Sequence, residues 1–355
     1  MQTTAPIDAR IDLAQLARRA RVPAALAAVA VAVALLVGGP AQHLLDALSR
    51  AFTADPRWVL AAAGFEALSF VGYIALLSHV AGRDNARFGF KQSYRTTLAG
   101  AAATRLLPTA GAGGAALTLW VLRRSGHEGR ASVRTLLTFL VLLYAVFLGA
   151  ILVAGGLTAA GVAHTGALAL SAIPAALAGL AMAIAVGLAV RAPSGEHRIA
   201  RAGALLGEAV RDAAALVRRG DPRLLGAFAW WGFDIAVLWA VFHAVGSPPP
   251  FGVLVLGYFI GQVANTIPIP GAASGGLAGV LLAFGVAPDL ALAGVLAYRS
   301  IAIWLPAPFG AHALAGLRRD AARWTAEDAP AATPAPRVRV ARPMAAAHAP
   351  QPLAA

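Results

Sequence analysis

The chain contains no cysteine, which excludes a disulfide scaffold and a metal site made of thiolates. It is also short of charge, because only 13% of its 355 residues are charged, whereas a soluble domain carries about 25%. By contrast, 59% of the residues are hydrophobic, and many of them lie in long apolar runs. The composition excludes a soluble globular enzyme and a disordered chain, and it predicts an all-α polytopic membrane protein.

Motifs that mark catalytic sites are also missing. The sequence has no His-Glu-x-x-His zinc motif, no Gly-x-Ser-x-Gly nucleophile motif and no Gly-x-x-x-x-Gly-Lys-Ser/Thr phosphate loop. Its 8 histidines are scattered, and none are paired at metal-ligand spacing. We therefore predict no cofactor, no metal site and no enzyme activity, and an intramembrane lipid-modifying enzyme is the least favoured interpretation.

Six apolar runs are long enough to cross the hydrocarbon core of a membrane, which takes about 20 helical residues. The predicted spans are 22–39, 57–82, 135–157, 167–190, 224–246 and 291–316. Arginines precede the first run, as they do in a signal peptide, but no Ala-x-Ala cleavage site follows it. We interpret the first run as a retained span.

Two further apolar stretches, 96–122 and 251–286, are interrupted by proline and glycine. Proline removes a helix hydrogen bond and clashes with the preceding turn, while glycine loosens the backbone. In the first stretch each half is about 10–12 residues long, which at 1.5 Å per residue is about half a bilayer. The pattern predicts re-entrant broken helices. The predicted breaks are at Pro108, Gly111, Pro268, Pro270 and Gly271.

The net charge of +13 is explained by membrane topology and does not indicate nucleic-acid binding. If 96–122 crossed the membrane once, the arginines before and after it would lie on opposite sides, against the positive-inside rule. If both broken segments return to the side they enter, 25 of the 29 Lys and Arg residues are cytoplasmic. We therefore predict a multi-pass protein of the cytoplasmic membrane with both termini inside.

The segments form two units of opposite orientation, 57–157 and 224–316. Each unit has a span, a broken segment and a second span, and Leu-Pro-x-x-Gly at 107–111 matches Ile-Pro-x-x-Gly at 267–271. Inverted repeats with broken helices are common among transporters. The predicted fold is six transmembrane helices plus two re-entrant segments in an inverted repeat. The predicted domains are a cytoplasmic N-terminus, a transmembrane domain and a disordered cytoplasmic tail, at 1–21, 22–320 and 321–355.

Four ionisable residues fall inside the predicted membrane segments, where a charge is costly and normally faces a partner or a wet cavity. They are Glu66, Arg105, Asp234 and Arg299. Two acids and two bases allow mutual neutralisation, so structural ion pairs that involve Glu66 and Asp234 are one interpretation. In the other, an arginine faces a cavity and binds a phosphate-bearing headgroup, since its planar guanidinium can donate two hydrogen bonds at once.

The second broken segment can supply the polar groups of such a site. Unwound backbone at a Pro-Gly break exposes amides and carbonyls that need polar partners. Arg299 lies about 12 Å into its span, near the depth of that break. We predict a headgroup site formed by Arg299 and Asn265, with Arg105, Ser274 and Gln262 beside them. A purely structural role for Asn265 and Gln262, in which they only satisfy the broken backbone, stays open.

A series of short motifs follows the second break. They are Asn265-Thr-Ile-Pro268-Ile-Pro270-Gly271, Gly275-Gly276-Leu277, Phe284-Gly285-Val286, Tyr298-Arg299, Trp304-Leu305-Pro306 and Gly310. The series resembles the transmembrane domain of lysylphosphatidylglycerol synthases, the flippase-like part of the multiple peptide resistance factor. Arg105-Leu-Leu-Pro108, Gly113-Gly114 and Arg124-Ser-Gly126 in the first broken segment look like an earlier motif of that family. The resemblance covers roughly residues 57–320.

The resemblance implies a protein that binds or translocates a lipid. The sequence departs from the family pattern at Ser274, where members usually carry an acidic residue, and the soluble lysine-transferring domain is absent. We predict translocation of a phospholipid or other anionic envelope lipid. The alternative is a non-transporting membrane partner of an envelope-lipid or glycan-building enzyme. The predicted partners are a membrane phospholipid and, in the alternative, such an enzyme, but not nucleic acid.

Overall fold

The computed structural model describes residues 46, 49–50, 53–106, 112–161, 168–191, 197–264 and 272–328. Apart from turns, this part of the chain is helical. The α-helices are α1 (Pro56–Gly82), α2 (Phe90–Leu106), α3 (Ala112–Arg124), α4 (Gly129–Ala159), α5 (Leu168–Val190), α6 (Arg198–Arg219), α7 (Gly226–Val245), α8 (Phe251–Val263), α9 (Ala272–Ala283), α10 (Pro288–Trp304) and α11 (Ala307–Glu327). A 3₁₀ turn, Pro222–Leu225, leads into α7. The prediction of an all-α fold is confirmed for the described residues.

Within the described residues, five candidate membrane spans are long and apolar enough to cross a bilayer. Four of them contain α1, α4, α5 and α7 and correspond to the predicted spans that begin at 57, 135, 167 and 224. The fifth is formed by α10 and α11 together. The predicted first span, 22–39, lies outside the described residues. The described chain is therefore a multi-pass membrane protein by the length and composition of its helices.

The last predicted span, 291–316, consists of two helices instead of one. The regular helix α10 ends at Trp304, and α11 begins just after Pro306, whose ring cannot donate a backbone hydrogen bond. The helix α11 continues to Glu327, beyond residue 321, where the tail was predicted to begin. This last part of α11 stays helical because Ala321 and Trp324 are buried against the rest of the fold.

The second broken segment contains a helical hairpin. The short helices α8 and α9 pack against each other, with Gly257 beside Leu281 and Gly261 beside Leu277. The residue number falls on α9 as it rises on α8, so the two helices are antiparallel. A side chain at Gly261 would collide with the backbone of Leu277, which explains the need for glycine there.

The first broken segment contains the equivalent hairpin, α2 and α3. The Gly114 amide donates a 2.9 Å hydrogen bond to Thr104 Oγ1, and Gly100 touches the Gly114 backbone. Before and after the hairpin, the Asn85 amide donates to Ser125 Oγ at 2.9 Å and approaches His127 Nδ1 at 2.7 Å. The chain therefore enters and leaves this hairpin at the same end of the molecule.

The predicted breaks themselves fall between the two helices of each hairpin. Pro108, Gly111, Pro268, Pro270 and Gly271 all lie outside the described residues. The described helices before and after each break pack against each other.

The centre of the fold is an antiparallel pair formed by α1 and α7, the helices with the most extensive mutual packing. Gly72 and Gly226 touch, so that the two backbones approach closely. Ser69 Oγ donates a 2.9 Å hydrogen bond to the Trp230 carbonyl. Near one end, Trp58 packs edge-on against Trp239 at a ring distance of 5.2 Å. Buried leucines complete the core on both sides of this pair.

The two ends of the molecule differ in charge. At one end Arg50 pairs with Asp289 at 2.8 Å. The other end, which we call the arginine-rich face, carries the arginines of the connections around α2, α3, α4 and α6. These include Arg83, Arg87, Arg123, Arg124, Arg130, Arg134, Arg218, Arg219 and Arg223. Ion pairs and hydrogen bonds between these connections hold them at one end, consistent with the predicted charge topology.

A buried ion pair ties the last described helix to the first hairpin near the arginine-rich face. Arg95 Nη1 on α2 lies 2.6 Å from Asp320 Oδ2 on α11, and these side chains are only 17% and 5% exposed. Next to it, Arg87 binds Asp328 through two hydrogen bonds of 3.0 and 2.8 Å. The helix α11 therefore closes over α2 at this end.

Candidate functional site

A buried carboxylate lies in the middle of α7. Asp234 is 3% exposed, and two tyrosine hydroxyls from other helices donate to it. Tyr258 on α8 donates to one carboxylate oxygen, and Tyr298 on α10 lies 3.1 Å from both. We call these three residues the Asp234 cluster. An ionised carboxylate can only accept hydrogen bonds, so the two hydroxyls satisfy a charge that would otherwise be costly to bury.

The guanidinium of Arg299 lies next to this cluster. Its Cζ is 5.5 Å from the centre of the Tyr298 ring, within the range of a cation–π contact. Its Nε is buried from solvent and donates to no acceptor within the described part of the chain. The arginine forms no ion pair with a described carboxylate, because Asp234 is taken up by the two tyrosines. A buried cationic donor is therefore left for an acceptor that the described residues do not supply.

The site contains an acid and a base, and they differ in how many of their hydrogen-bonding groups have partners. Asp234 has two donors, whereas Arg299 has a donor without an acceptor. A buried donor without a partner costs about 1–3 kcal/mol, and more when it is charged. The site can recover that free energy by binding an anionic oxygen of a ligand. A ligand without an acceptor atom would not recover it.

The other predicted headgroup residues are placed only in part. Gln262 lies one helical turn after Tyr258 on α8 and is half-buried, and Ser274 is half-buried near the start of α9. Asn265 lies outside the described residues. Arg105 is part of α2, but its side chain also lies outside them. The structure thus brings Arg299 beside the Asp234 cluster and leaves the roles of the other four as predictions.

The tyrosines of the Asp234 cluster were not predicted as partners of the carboxylate. Hydropathy and charge identify Asp234 as a residue that does not belong in lipid. They give no information about which helices pack on α7, and Tyr258 looks like any aromatic residue of an apolar helix. The sequence offered one weak signal for these partners, which is that Tyr298 immediately precedes the intramembrane Arg299.

The second intramembrane acid occupies the equivalent place in the other unit. Glu66 on α1 is 1% exposed. It ends the tripeptide Gly-Phe-Glu at 64–66, and Asp234 ends Gly-Phe-Asp at 232–234. Each helix is also preceded by Asp-Pro-Arg, at 55–57 and 221–223, and the aspartate caps the helical turn by accepting from the arginine amide. This repeat was missed in the sequence.

The two matching phenylalanines meet. Phe65 and Phe233 stack with a ring distance of 6.1 Å and an interplanar angle of 19°. The contact joins matching positions of the two tripeptides. The acids Glu66 and Asp234 come directly after these phenylalanines, so both lie near the centre of the α1–α7 pair.

The prediction that Glu66 or Asp234 neutralises an intramembrane arginine is left open by these contacts. Asp234 uses tyrosine hydroxyls, and no described arginine forms an ion pair with it. For Glu66 the pairing stays a prediction, since Arg105 belongs to the residues whose side chains are not described. Among the described residues, no group of three His, Asp or Glu side chains could hold a metal ion.

Two comparisons with known proteins bear on these observations. The model of the family described as the lysylphosphatidylglycerol synthase TM region matches residues 22–310. That range includes both hairpins, the central helix pair and the Asp234 cluster. No curated protein matches the chain.

Proposed function

We propose that this protein, which belongs to the lysylphosphatidylglycerol synthase transmembrane family, binds the anionic headgroup of a membrane lipid and translocates that lipid across the cell membrane. The observation that carries the proposal is the buried Nε of Arg299, which has no acceptor among the described residues. A phosphate oxygen is an acceptor of suitable charge, and a guanidinium matches a phosphate with two parallel hydrogen bonds.

The hairpins support a re-entrant arrangement. The helices α3, α8 and α9 have 13, 13 and 12 residues, which corresponds to about 18–20 Å each. The hydrocarbon core of a bilayer is about 30 Å thick, so none of the three spans it alone. A hairpin that dips in and returns places its broken backbone near the midplane, where transporters bind their substrates.

The packing of the hairpins supports an inverted repeat. The first hairpin packs through α2 on α11 of the second unit, and the second hairpin packs through α8 on α4 of the first. Each hairpin thus packs against the last span of the other unit. Together with the repeated Asp-Pro-Arg and Gly-Phe-acid motifs, this exchange is the pattern expected of two related units of opposite orientation.

The balance of charge at the site suits transport. Arg299 attracts the headgroup, while the neighbouring carboxylate of Asp234 keeps the site close to neutral when no lipid is bound. A headgroup that binds Arg299 also feels the negative charge of Asp234, so it is not held too tightly to leave. The acyl chains stay in the bilayer throughout, and only the headgroup crosses the polar region.

The test is a translocation assay in liposomes that contain the purified protein and fluorescent lipids with anionic or zwitterionic headgroups. Arg299→Ala removes the donor, and Arg299→Lys keeps the charge but loses the planar fork. A hydrogen bond to a charged group contributes about 1.5–3 kcal/mol, so we expect anionic lipid movement to fall at least about tenfold in both variants. The matched control is Arg318→Gln, an exposed arginine on α11.

The outcome that contradicts the proposal is specific. A well-folded Arg299→Ala protein that moves anionic lipid as fast as the unmodified chain removes the reason to place a headgroup there. Absence of translocation for every lipid tested would favour the other candidate, a membrane partner of an envelope-lipid or glycan-building enzyme.

A further inference from the structure

Two helices lie outside both repeat units, and they form a corner of the molecule. The apolar helix α5 packs on α4 and leaves most of its surface exposed. The helix α6 follows it in the chain, packs on both α4 and α5, and carries many arginines. We call these two helices the α5–α6 corner. Neither contributes to the Asp234 cluster.

Both acidic residues of α6 form ion pairs with other residues of the chain. Glu208 binds Arg130 at 2.7 Å, and Asp212 binds Arg134 through two contacts of 2.6 Å. Both partners belong to α4. These pairs attach α6 to the bundle and cancel its negative charge on the inner side.

The other exposed charges of α6 are positive. Its exposed arginines are Arg198, Arg201, Arg218 and Arg219, and none of them forms an ion pair with a described carboxylate. Arg211 is also exposed, but it donates a 2.7 Å hydrogen bond to the Ala189 carbonyl and so caps the end of α5. The four remaining guanidinium groups need anions or water.

An apolar stripe runs along the same helix. Ile199, Leu206, Val210 and Val217 are spaced by 7, 4 and 7 residues, which places them on one helical face. The two at the ends are the most exposed, at 87% for Ile199 and 58% for Val217. Such side chains next to exposed arginines are typical of a helix that lies in the membrane interface.

The adjoining part of α5 carries a shallow, open groove on its surface, lined by α5 and the residue that follows it. Apolar residues from Met182 to Val190 line it, and Arg191 lies at its end. An acyl chain fits the apolar part of such a groove, and a phosphate fits the guanidinium at its end. The end of the groove lies beside the middle of α6, where Gly207 contacts the Leu188 backbone and Arg211 donates to the Ala189 carbonyl.

We infer that the α5–α6 corner binds an anionic phospholipid of the leaflet that borders the arginine-rich face, with α6 lying along the interface. The occupant follows from the juxtaposition of an apolar groove, an apolar stripe and unpaired arginines at one membrane border. The inference rests on the membrane embedding of the proposed function but not on transport, because the corner is separate from Arg299.

The experiment uses the absence of native cysteine. A single Ala202→Cys change at an exposed position of α6 is labelled with an environment-sensitive fluorophore. The full chain is reconstituted in phosphatidylcholine vesicles that contain brominated phosphatidylglycerol, or in matched vesicles with brominated phosphatidylcholine. Bromine quenches the label only on contact, so the two vesicles report which lipid lies beside α6.

We expect brominated phosphatidylglycerol to quench more strongly than brominated phosphatidylcholine at the same mole fraction. One arginine near an anionic surface contributes about fivefold in local enrichment, the equivalent of about 1 kcal/mol. The double variant Arg198→Gln/Arg201→Gln should lose most of this preference. The matched control, Arg318→Gln/Arg319→Gln on α11, should keep it.

Every other outcome overturns the inference. Equal quenching by the two lipids means that the corner meets the bilayer without selecting anionic lipid. No quenching means that the corner faces water or another protein. The comparison of the two vesicles on the Ala202→Cys protein decides the matter even if the double variant does not fold. Translocation is measured separately, so failure of the transport proposal does not affect this result.

Discussion

At the arginine-rich face, burial and hydrogen-bond partners determine the pKa of a titratable residue. The ring of His127, just before α4, is half-buried, and its Nδ1 lies 2.7 Å from the Asn85 amide nitrogen. An amide nitrogen can only donate, so Nδ1 must accept and the ring must be neutral in this arrangement. Burial lowers the pKa of His127, and the Leu122 carbonyl and Asp84 offset only part of that effect.

This arrangement predicts a loss of stability in mild acid. With a lowered pKa in the folded state, the unfolded chain takes up the proton first, so the free energy of unfolding decreases as pH falls below about 6.5. The loss is complete once pH has passed below the folded pKa. We expect His127→Leu to remove this part of the pH dependence. The measurement is thermal unfolding in detergent at pH 7.5 and pH 5.5, followed by tryptophan fluorescence. The same pH dependence in both proteins would contradict the prediction.

At the same scale, the candidate site could be predicted only in outline. Charge inside an apolar run is enough to single out Glu66, Asp234 and Arg299. The tyrosine partners of Asp234 come from helices that are distant in the sequence, and no periodicity records that contact. The matching tripeptides at 64–66 and 232–234 were visible, but an inverted repeat with so few identical residues is easily overlooked.

Between helices, small residues decide how closely the elements approach. A Cβ added to Gly72 on α1 would lie 2.6 Å from the Ala229 side chain and 2.8 Å from the Gly226 carbonyl oxygen. These neighbours include backbone, which cannot move without separating α1 from α7. In the same helix, Gly64 has no atom within 4 Å of such a Cβ. The two glycines therefore differ in surroundings while sharing a helix.

The difference gives a matched pair of substitutions. Gly72→Ala should lower the free energy of unfolding by about 1–3 kcal/mol, because overpacking forces the helices apart. Gly64→Ala should leave it unchanged or raise it slightly, since alanine is the better helix former. Unfolding in a detergent titration measures both. Equal effects would mean that the α1–α7 contact is not the close crossing described.

Several helices were predictable together with their ends, but the interruption and the end of the last apolar run were not. Apolar runs of about 20 residues gave α1, α5 and α7 nearly to the residue. Within the run 291–316 one helix ends and another begins near Pro306. Hydropathy does not show this interruption, because the apolar composition continues through it. The extension of α11 to Glu327 depends on partners in α2, more than 200 residues away. The local sequence gives no information about such partners.

For the whole molecule, the fold makes a prediction about sidedness. The contact between Asn85 and His127 places the two ends of the first hairpin together, whereas Ser247 follows α7 at the opposite end of the bundle. In a membrane these ends must face opposite compartments. The charge pattern predicts that the arginine-rich face lies in the cytoplasm.

Single cysteines test this assignment in a chain that has none of its own. Lys91→Cys and Glu128→Cys are exposed positions on either side of the first hairpin, and Ser247→Cys is exposed at the other end. A membrane-impermeant maleimide applied to intact cells should label only the third. The first two should react after the membrane is permeabilised. Labelling of position 91 but not 128, or the reverse, would exclude a re-entrant first hairpin.

The ion pair between Arg95 and Asp320 has a consequence for how the protein is made. The two residues are 225 positions apart, so at about 5–20 residues per second the ribosome adds Asp320 roughly 10–45 s after Arg95. During that time α2 has neither its salt-bridge partner nor the helix that covers it. We therefore expect the first hairpin to reach its final packing only after α11 has been made, and until then the charge of Arg95 needs water or another partner.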